Sequence, residues 1–154
     1  AIRAILQIER SRTKQCTRKP KMEIVNLNPE SVWAVPKKFQ DIYSHAAKVS
    51  NATTVIFISG QFGVRPDGSL PGSFEDQALQ AMKNIEAILA EADMNLSNLA
   101  KLNFFITDKG DAPDLAQLRS SRWGGFQAPA VTVLTVSALA RPEYRIEIEA
   151  IAAK

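Results

Sequence analysis

The sequence predicts an α+β domain built on a mixed β-sheet with two helices on one face. Three observations predict it. Stretches that alternate with a period of two are interleaved with stretches whose apolar residues recur at helical spacing, in the order strand, strand, strand, helix, strand, helix, strand, strand. Clusters of Gly, Pro, Asn and Asp separate the stretches. The 154 residues, 45% apolar and 23% charged, suit one compact domain with a core of its own.

Met22–Val25 reads as a short strand. Tyr43–Val49 and Thr53–Ser59 read as two strands joined at Ser50-Asn51. Gly60, Gly63, Pro66-Asp67-Gly68 and Pro71-Gly72 then punctuate a loop. Ser73 opens the first helix, where Ser73-Phe74-Glu75-Asp76 fits a capping box. Its core face is Phe74, Ala78, Ala81, Met82, Ile85, Ile88, Leu89 and Ala92. Leu99–Thr107 is a strand ended by Asp108 and Gly110. Asp114–Trp123 is the second helix, with Leu115, Leu118 and Arg122 near one face, closed by Gly124-Gly125. Ala130–Ser137 is a strand. In the last one, Tyr144–Ala152, residues Tyr144, Ile146, Ile148 and Ala150 share one face, and Arg145, Glu147 and Glu149 share the other.

Charge divides the chain. Residues 1–21 carry seven basic side chains against one acid, whereas residues 22–154 carry 12 basic and 15 acidic ones. The leader 1–21 reads as sequence ahead of a start at Met22 or as an N-terminal extension; an organelle-targeting peptide and a nucleic-acid arm are the other readings, the former weakened by little Ser. Residues 22–154 read as the single domain. Its mildly acidic balance is a poor match for nucleic acid. The single Cys excludes an intrachain disulfide, and a single His excludes a multi-His metal centre within the chain. The longest wholly apolar run, Val55–Ile58, is too short to span a membrane. There is no phosphate-binding glycine loop. No metal, no cofactor and no membrane partner is therefore expected, and a cytoplasmic location is.

Several residues could carry chemistry. His45 could act as a general base, or be a strand residue satisfied by a neighbour. Glu147 and Glu149 could position water or a proton, or decorate a solvated strand face. Arg119 and Arg122 could receive a carboxylate, or be ordinary exposed helix arginines.

Short motifs decide among these readings. Tyr43-Ser44-His45-Ala46, Ile58-Ser59-Gly60-Gln61, Asp67-Gly68, Gln77-Ala78, Asn84-Ile85, Lys101, Phe105-Ile106-Thr107-Asp108, Pro129-Ala130 and Ile146–Ala152 follow one another over residues 40–154. In order and spacing this series resembles the Rid family, also called the YjgF or endoribonuclease L-PSP family. The resemblance implies a chorismate-mutase-like fold, a homotrimer with a central barrel of sheets, and three clefts between subunits. It implies hydrolysis of reactive 2-imino or 2-enamino acids to 2-keto acids and ammonia, without a cofactor. Glu147 matches the family's water-ordering glutamate, Tyr43 the cleft aromatic, and Ser59 and Gly60 the strand-end residues lining the cleft. Arg119 falls near a polar cleft position on the second helix. Pro129-Ala130 matches the dipeptide that precedes the deaminases' carboxylate-gripping arginine, but the next residue here is Val131. The connection into Pro129 also looks shorter than in the deaminases.

The expectation is thus a trimer that binds a small metabolite through Tyr43, Ser59, Gly60, Arg119, Ala130 and Val131, with Glu147 as the catalytic candidate. The alternative is an enamine or imine deaminase whose cation has moved, with Arg119 the first suspect. An RNA-binding or RNA-cleaving role, which the family's older name suggests, is disfavoured by the acidic body and single His.

Overall fold

The computed structural model describes residues 20–154. The expectation of a separate leader therefore lies, but for its last two residues, outside the described part.

The strands are β1 (Glu23–Leu27), β2 (Ala46–Ser50), β3 (Val55–Phe62), β4 (Leu99–Ile106), β5 (Ala130–Thr135) and β6 (Ile146–Ala153); the helices are α1 (Phe74–Glu91) and α2 (Ala112–Trp123). Four strands form a sheet in the order β3-β6-β4-β5. β6 runs antiparallel to both its neighbours, and β4 and β5 are parallel. A parallel pair needs a long crossover, and α2 supplies it. β1 and β2 form an antiparallel ribbon beside this sheet, joined to it through an isolated bridge from Ser44 to Ala130.

The two strand runs on either side of Ser50-Asn51 do not pair with each other. Asn51 adopts a left-handed conformation, φ 58°, and Thr53 and Thr54 then donate to the Lys154 carbonyl. The chain is thereby steered onto the C-terminal strand, so β3 pairs with β6 and β2 returns to β1. β3 also runs beyond Ser59 to Phe62. Its register with β6 shifts between Ile58 and Gln61, so Ser59-Gly60 is a bulge inside a strand and not the start of a loop.

One face of the sheet packs on the helices. Leu102, Phe104, Ile106, Ile146, Ile148, Ala150 and Ala152 meet Ala78, Met82, Ile85 and Leu89 of α1 and Leu115 and Trp123 of α2. Helix α1 begins at the expected cap, with the Ser73 side chain accepting from the Asp76 N–H; the Asp76 carboxylate accepts from the Ser73 hydroxyl, so the cap is one-sided and not the reciprocal box. Helix α2 begins two residues earlier than its apolar pattern, with Pro113 in its first turn. Arg122 grips Glu86 of α1 with two bonds of 3.0 and 2.7 Å, and Trp123 Nε1 donates to the same carboxylate. The buried amide of Gln77 and the half-buried one of Asn84 are braces. Gln77 donates to the carbonyls of Pro71 and Glu143 and accepts from the Arg145 N–H; Asn84 donates to the carbonyls of Phe62 and Val64.

The opposite sheet face carries Phe57, Lys101, Asn103, Phe105, Leu134, Glu147, Glu149 and Ile151, as the strand registers require. No element of the described residues covers it. Phe57 is 78% and Leu134 48% exposed.

Candidate functional site

A cleft of about 350 Å³ opens on the helix-covered side, between α2, the start of β5 and the segment leading into Tyr43. Its wall is almost wholly apolar and includes Trp33, Phe39, Ile42, Leu115 and Val131. Val131 is 8% exposed and part of the core. Its β4 neighbour is Leu102, so the alternation of the strand turns it toward the helices. Among the described residues Arg119 is the one fully charged residue of the wall. It is buried, 5% exposed, so it is not the exposed helix arginine that sequence alone allowed. Its Nη2 donates to the Ile42 carbonyl, and its guanidinium lies 4.5 Å from the centre of the Phe104 ring, a cation–π arrangement. Among the described residues it has no carboxylate partner. Burial drags its pKa down to about 10, still far above neutral, so it remains a cation.

Tyr43 lines the same cleft. Its hydroxyl is 3.1 Å from His45 Nδ1, and His45 Nε2 is 2.5 Å from the Trp33 carbonyl. A carbonyl only accepts, so the neutral ring carries its proton on Nε2, and Nδ1 accepts the proton of Tyr43. The His45 N–H also donates to Asn28 Oδ1, at 2.9 Å. His45 thus ties the 28–36 segment, which carries Trp33, to the cleft aromatic. His45 lies one residue ahead of β2 and not in the strand expected over Tyr43–Val49, but its neighbours satisfy it as that reading expected.

A second group of predicted residues lies on the uncovered face. Gly60 sits beneath Glu147 so closely that a methyl group on it would fall 1.6 Å from Oε1. The bulge and the missing side chain together make room for the carboxylate. Burial, and then the charge of Glu149, pushes the Glu147 pKa upward. Glu149 accepts from Asn103, at 3.2 Å. Ser59 shares a shallow recess with Lys101, Asn103 and Glu149. Lys101 Nζ donates to the Thr132 hydroxyl, 2.6 Å away, and burial lowers its pKa.

The predicted residues therefore fall into two groups within one chain. Tyr43, Arg119 and Val131 meet in the cleft; Gly60 and Glu147 meet on the other face, where Ser59 lines the neighbouring recess with Glu149; Ala130, paired with Lys101, falls on that second face and is bridged to Ser44. Arg122 belongs to neither, being committed to Glu86. Sequence reasoning missed Trp33 and Phe39, because residues 26–42 have no periodicity; the available signal was aromatic and apolar residues in a Pro-punctuated stretch. Among the described residues no cluster of three or more His, Cys, Asp or Glu could hold a metal ion, and no helix is long and apolar enough to cross a membrane.

Comparison with known proteins bears on what such a site serves. The family profile described as Endoribonuclease L-PSP matches residues 37–154. The 2-iminobutanoate/2-iminopropanoate deaminase of Mus musculus is 35% identical over 112 residues, 71% of this chain and 79% of that one. Protein HMF1 of Saccharomyces cerevisiae is 35% identical over 113 residues, 73% of this chain and 84% of that one. Among solved structures, YyfB of Yersinia pestis, from the conserved Rid protein family, superposes with a TM-score of 0.73 at 26% identity, covering 85% of this chain and 98% of its own. The mixed sheet with two helices is the arrangement these structures share.

Proposed function

This chain belongs to the endoribonuclease L-PSP (Rid) family, and from that membership we propose that it is a homotrimer binding a small metabolite in clefts between its subunits, with Val131 in place of the carboxylate-gripping arginine of the family's deaminases. The observation that carries this reading is the packing of Val131 into an apolar cleft wall beside Tyr43. A side chain so placed offers a ligand contact area and no charge. The division of the site residues between two sheet faces supports the trimer: among the described residues one chain's cleft lacks a carboxylate, and another chain's Glu147 would supply one. The exposed Phe57 and Leu134 on the uncovered face are the surfaces an assembly would bury.

A specific observation favours a second reading, hydrolytic deamination with a moved cation. Arg119 lies in the same wall as Val131 and has no acid partner among the described residues. In that reaction water adds to the carbon of a C=N bond, the nitrogen leaves as ammonia and the carbon becomes a carbonyl; Glu147, held by burial nearer to protonation than an exposed carboxylate, orders the water. Only water is consumed.

One experiment separates the readings. Imines are generated in situ from neutral amino acids by an amino-acid oxidase, ammonia release is followed against a blank, and light scattering reports the assembly. A trimer releasing no ammonia above the blank is expected for small substrates such as the alanine imine. Strong release from that imine overturns the binding reading in favour of the deaminase; a stable monomer at micromolar concentration overturns the trimer.

A further inference from the structure

The cleft shares a partition with an outer recess of about 510 Å³. Trp33 and Val35 line both; Tyr43 lines only the cleft, and His45, with Asn28 and Glu30, only the recess. The hydrogen bond between Tyr43 and His45 therefore crosses the partition. His45 is the single histidine of the chain, and imidazole is the side chain that ordinarily changes charge between about pH 5 and 8.

The His45 ring is held in place. Its Nε2–H is spent on the Trp33 carbonyl, and the rings of Trp33 and Tyr43 stand edge-on to it, at interplanar angles of 72° and 82°. A proton gained by the ring must go to Nδ1, and Nδ1 faces the Tyr43 hydroxyl at 3.1 Å. That gap holds one proton. While the ring is neutral, the proton is the tyrosine's. Once the ring is charged, the proton is the imidazolium's, and Tyr43 accepts it. The hydroxyl must then turn its own proton elsewhere. Among the described residues it has no other partner, and the space that Tyr43 lines is the cleft.

We propose that His45 is a positioning residue that sets the hydrogen-bonding role of Tyr43 toward the cleft: with His45 neutral, Tyr43 offers a guest only lone pairs, and with His45 protonated it offers a proton. The proposal rests on the reading of this cleft as the metabolite site and adds a control that reaches it from the outer recess. Among the described residues, the charged groups facing the pair are Glu30 in the recess and Arg119 in the cleft. Arg119 stays a cation throughout this pH range, so it does not imitate the switch.

The test uses the full chain with nitrogen-15 in its histidine ring, and two probes that stay uncharged: acetophenone, which only accepts a hydrogen bond, and indole, whose N–H donates one. Ring-nitrogen NMR is expected to show the neutral imidazole protonated on Nε2. Probe binding is read from the amide signals of Leu115 and Val131. As pH falls through the His45 transition, affinity for acetophenone relative to indole is expected to rise about threefold or more, the worth of one neutral hydrogen bond. Tyr43→Phe leaves the bond from His45 to Trp33 standing. His45→Asn keeps an amide oxygen that can accept from Tyr43 but takes up no proton. Each is expected to make that ratio independent of pH. A thermal melt accompanies both variants, and if His45→Asn does not fold, Tyr43→Phe decides alone. A neutral ring protonated on Nδ1, a ratio unchanged across the transition, or a ratio that still shifts in a folded variant overturns the proposal and leaves the cleft a binding site. If neither probe moves the Leu115 and Val131 signals, the underlying reading falls and the proposal with it.

Discussion

The cleft beside α2 and the uncovered face of the sheet are two environments made by the same strands: the first holds a cation and, among the described residues, no acid, the second a pair of carboxylates with Lys101 beside them. On the helix side a lone guanidinium is sunk among apolar residues. On the other side two carboxylates two residues apart on β6 crowd each other, and burial and repulsion raise the pKa of one. An isolated domain has no use for either arrangement, since burial penalises an unanswered charge and like charges on one strand face repel. The difference teaches where to look for function: at positions where local stability is given up without a local partner to justify it.

The largest expected effect comes from breaking the apolar character of the cleft. Val131→Arg puts a second guanidinium into the wall that already holds Arg119. Overpacking alone costs about 1–3 kcal/mol, so the melting temperature should fall by about 2–10 °C, measured at equal chain concentration. On small 2-imino acids the same variant should gain measurable ammonia release, short of that of the family's deaminases. An unchanged melting temperature would mean that the new side chain escapes to solvent and that the wall is not closed there.

A smaller effect should follow Gly60→Ala on the other face. The added methyl group collides with the flexible end of Glu147, not with backbone, so the carboxylate swings away at a cost of about 1 kcal/mol or less. Observed by carboxyl-carbon NMR, the Glu147 pKa should move back toward the ordinary glutamate range. A signal that stays put would show that the raised value has another source than its seat over Gly60.

The smallest effect sharpens the same point through pH. The folded-state pKa of Glu147 lies above its unfolded value, so the folded form binds more protons and stability declines as pH rises between the two values. Glu147→Gln removes that decline. At neutral pH the variant should melt about 1 °C higher, and its advantage should vanish once the pH is below the unfolded carboxylate's range. An advantage that grows on acidification would reverse the assigned sign.

Much of this architecture is legible in the sequence because local signals and tertiary packing agree there. The helical stripe from Phe74 to Ala92, the cap at Ser73 and the alternation along Ile146–Ala152 each state the face they bury. Strand pairing is less legible: a hairpin-like junction at Ser50-Asn51 gave no sign that β3 would pair with the far end of the chain, a choice made by long-range hydrogen bonds to Lys154. The candidate site is legible as residue types but not as geometry. Glu147 and Gly60 are 87 positions apart in sequence and touch only because of the bulge at Ser59-Gly60. The burial of Arg119 was hidden because a helix with Leu115 and Leu118 on one face shows no place for an arginine until the Ile42 carbonyl and the Phe104 ring are brought to it.

The β1–β2 ribbon is fastened to the sheet chiefly at Ser44, through its bridge to Ala130, its N–H to the Pro129 carbonyl and its hydroxyl to the Ala128 carbonyl. Amide hydrogen exchange should therefore be layered, with the ribbon releasing its protons through local openings while β4 and β6 exchange only in global unfolding. The outer wall of the cleft, from Trp33 to Tyr43, leads directly into that ribbon. A guest held inside should slow exchange at Tyr43–Ser50 more than anywhere else in the chain, and the rate at which it escapes should follow the opening rate of a two-stranded flap.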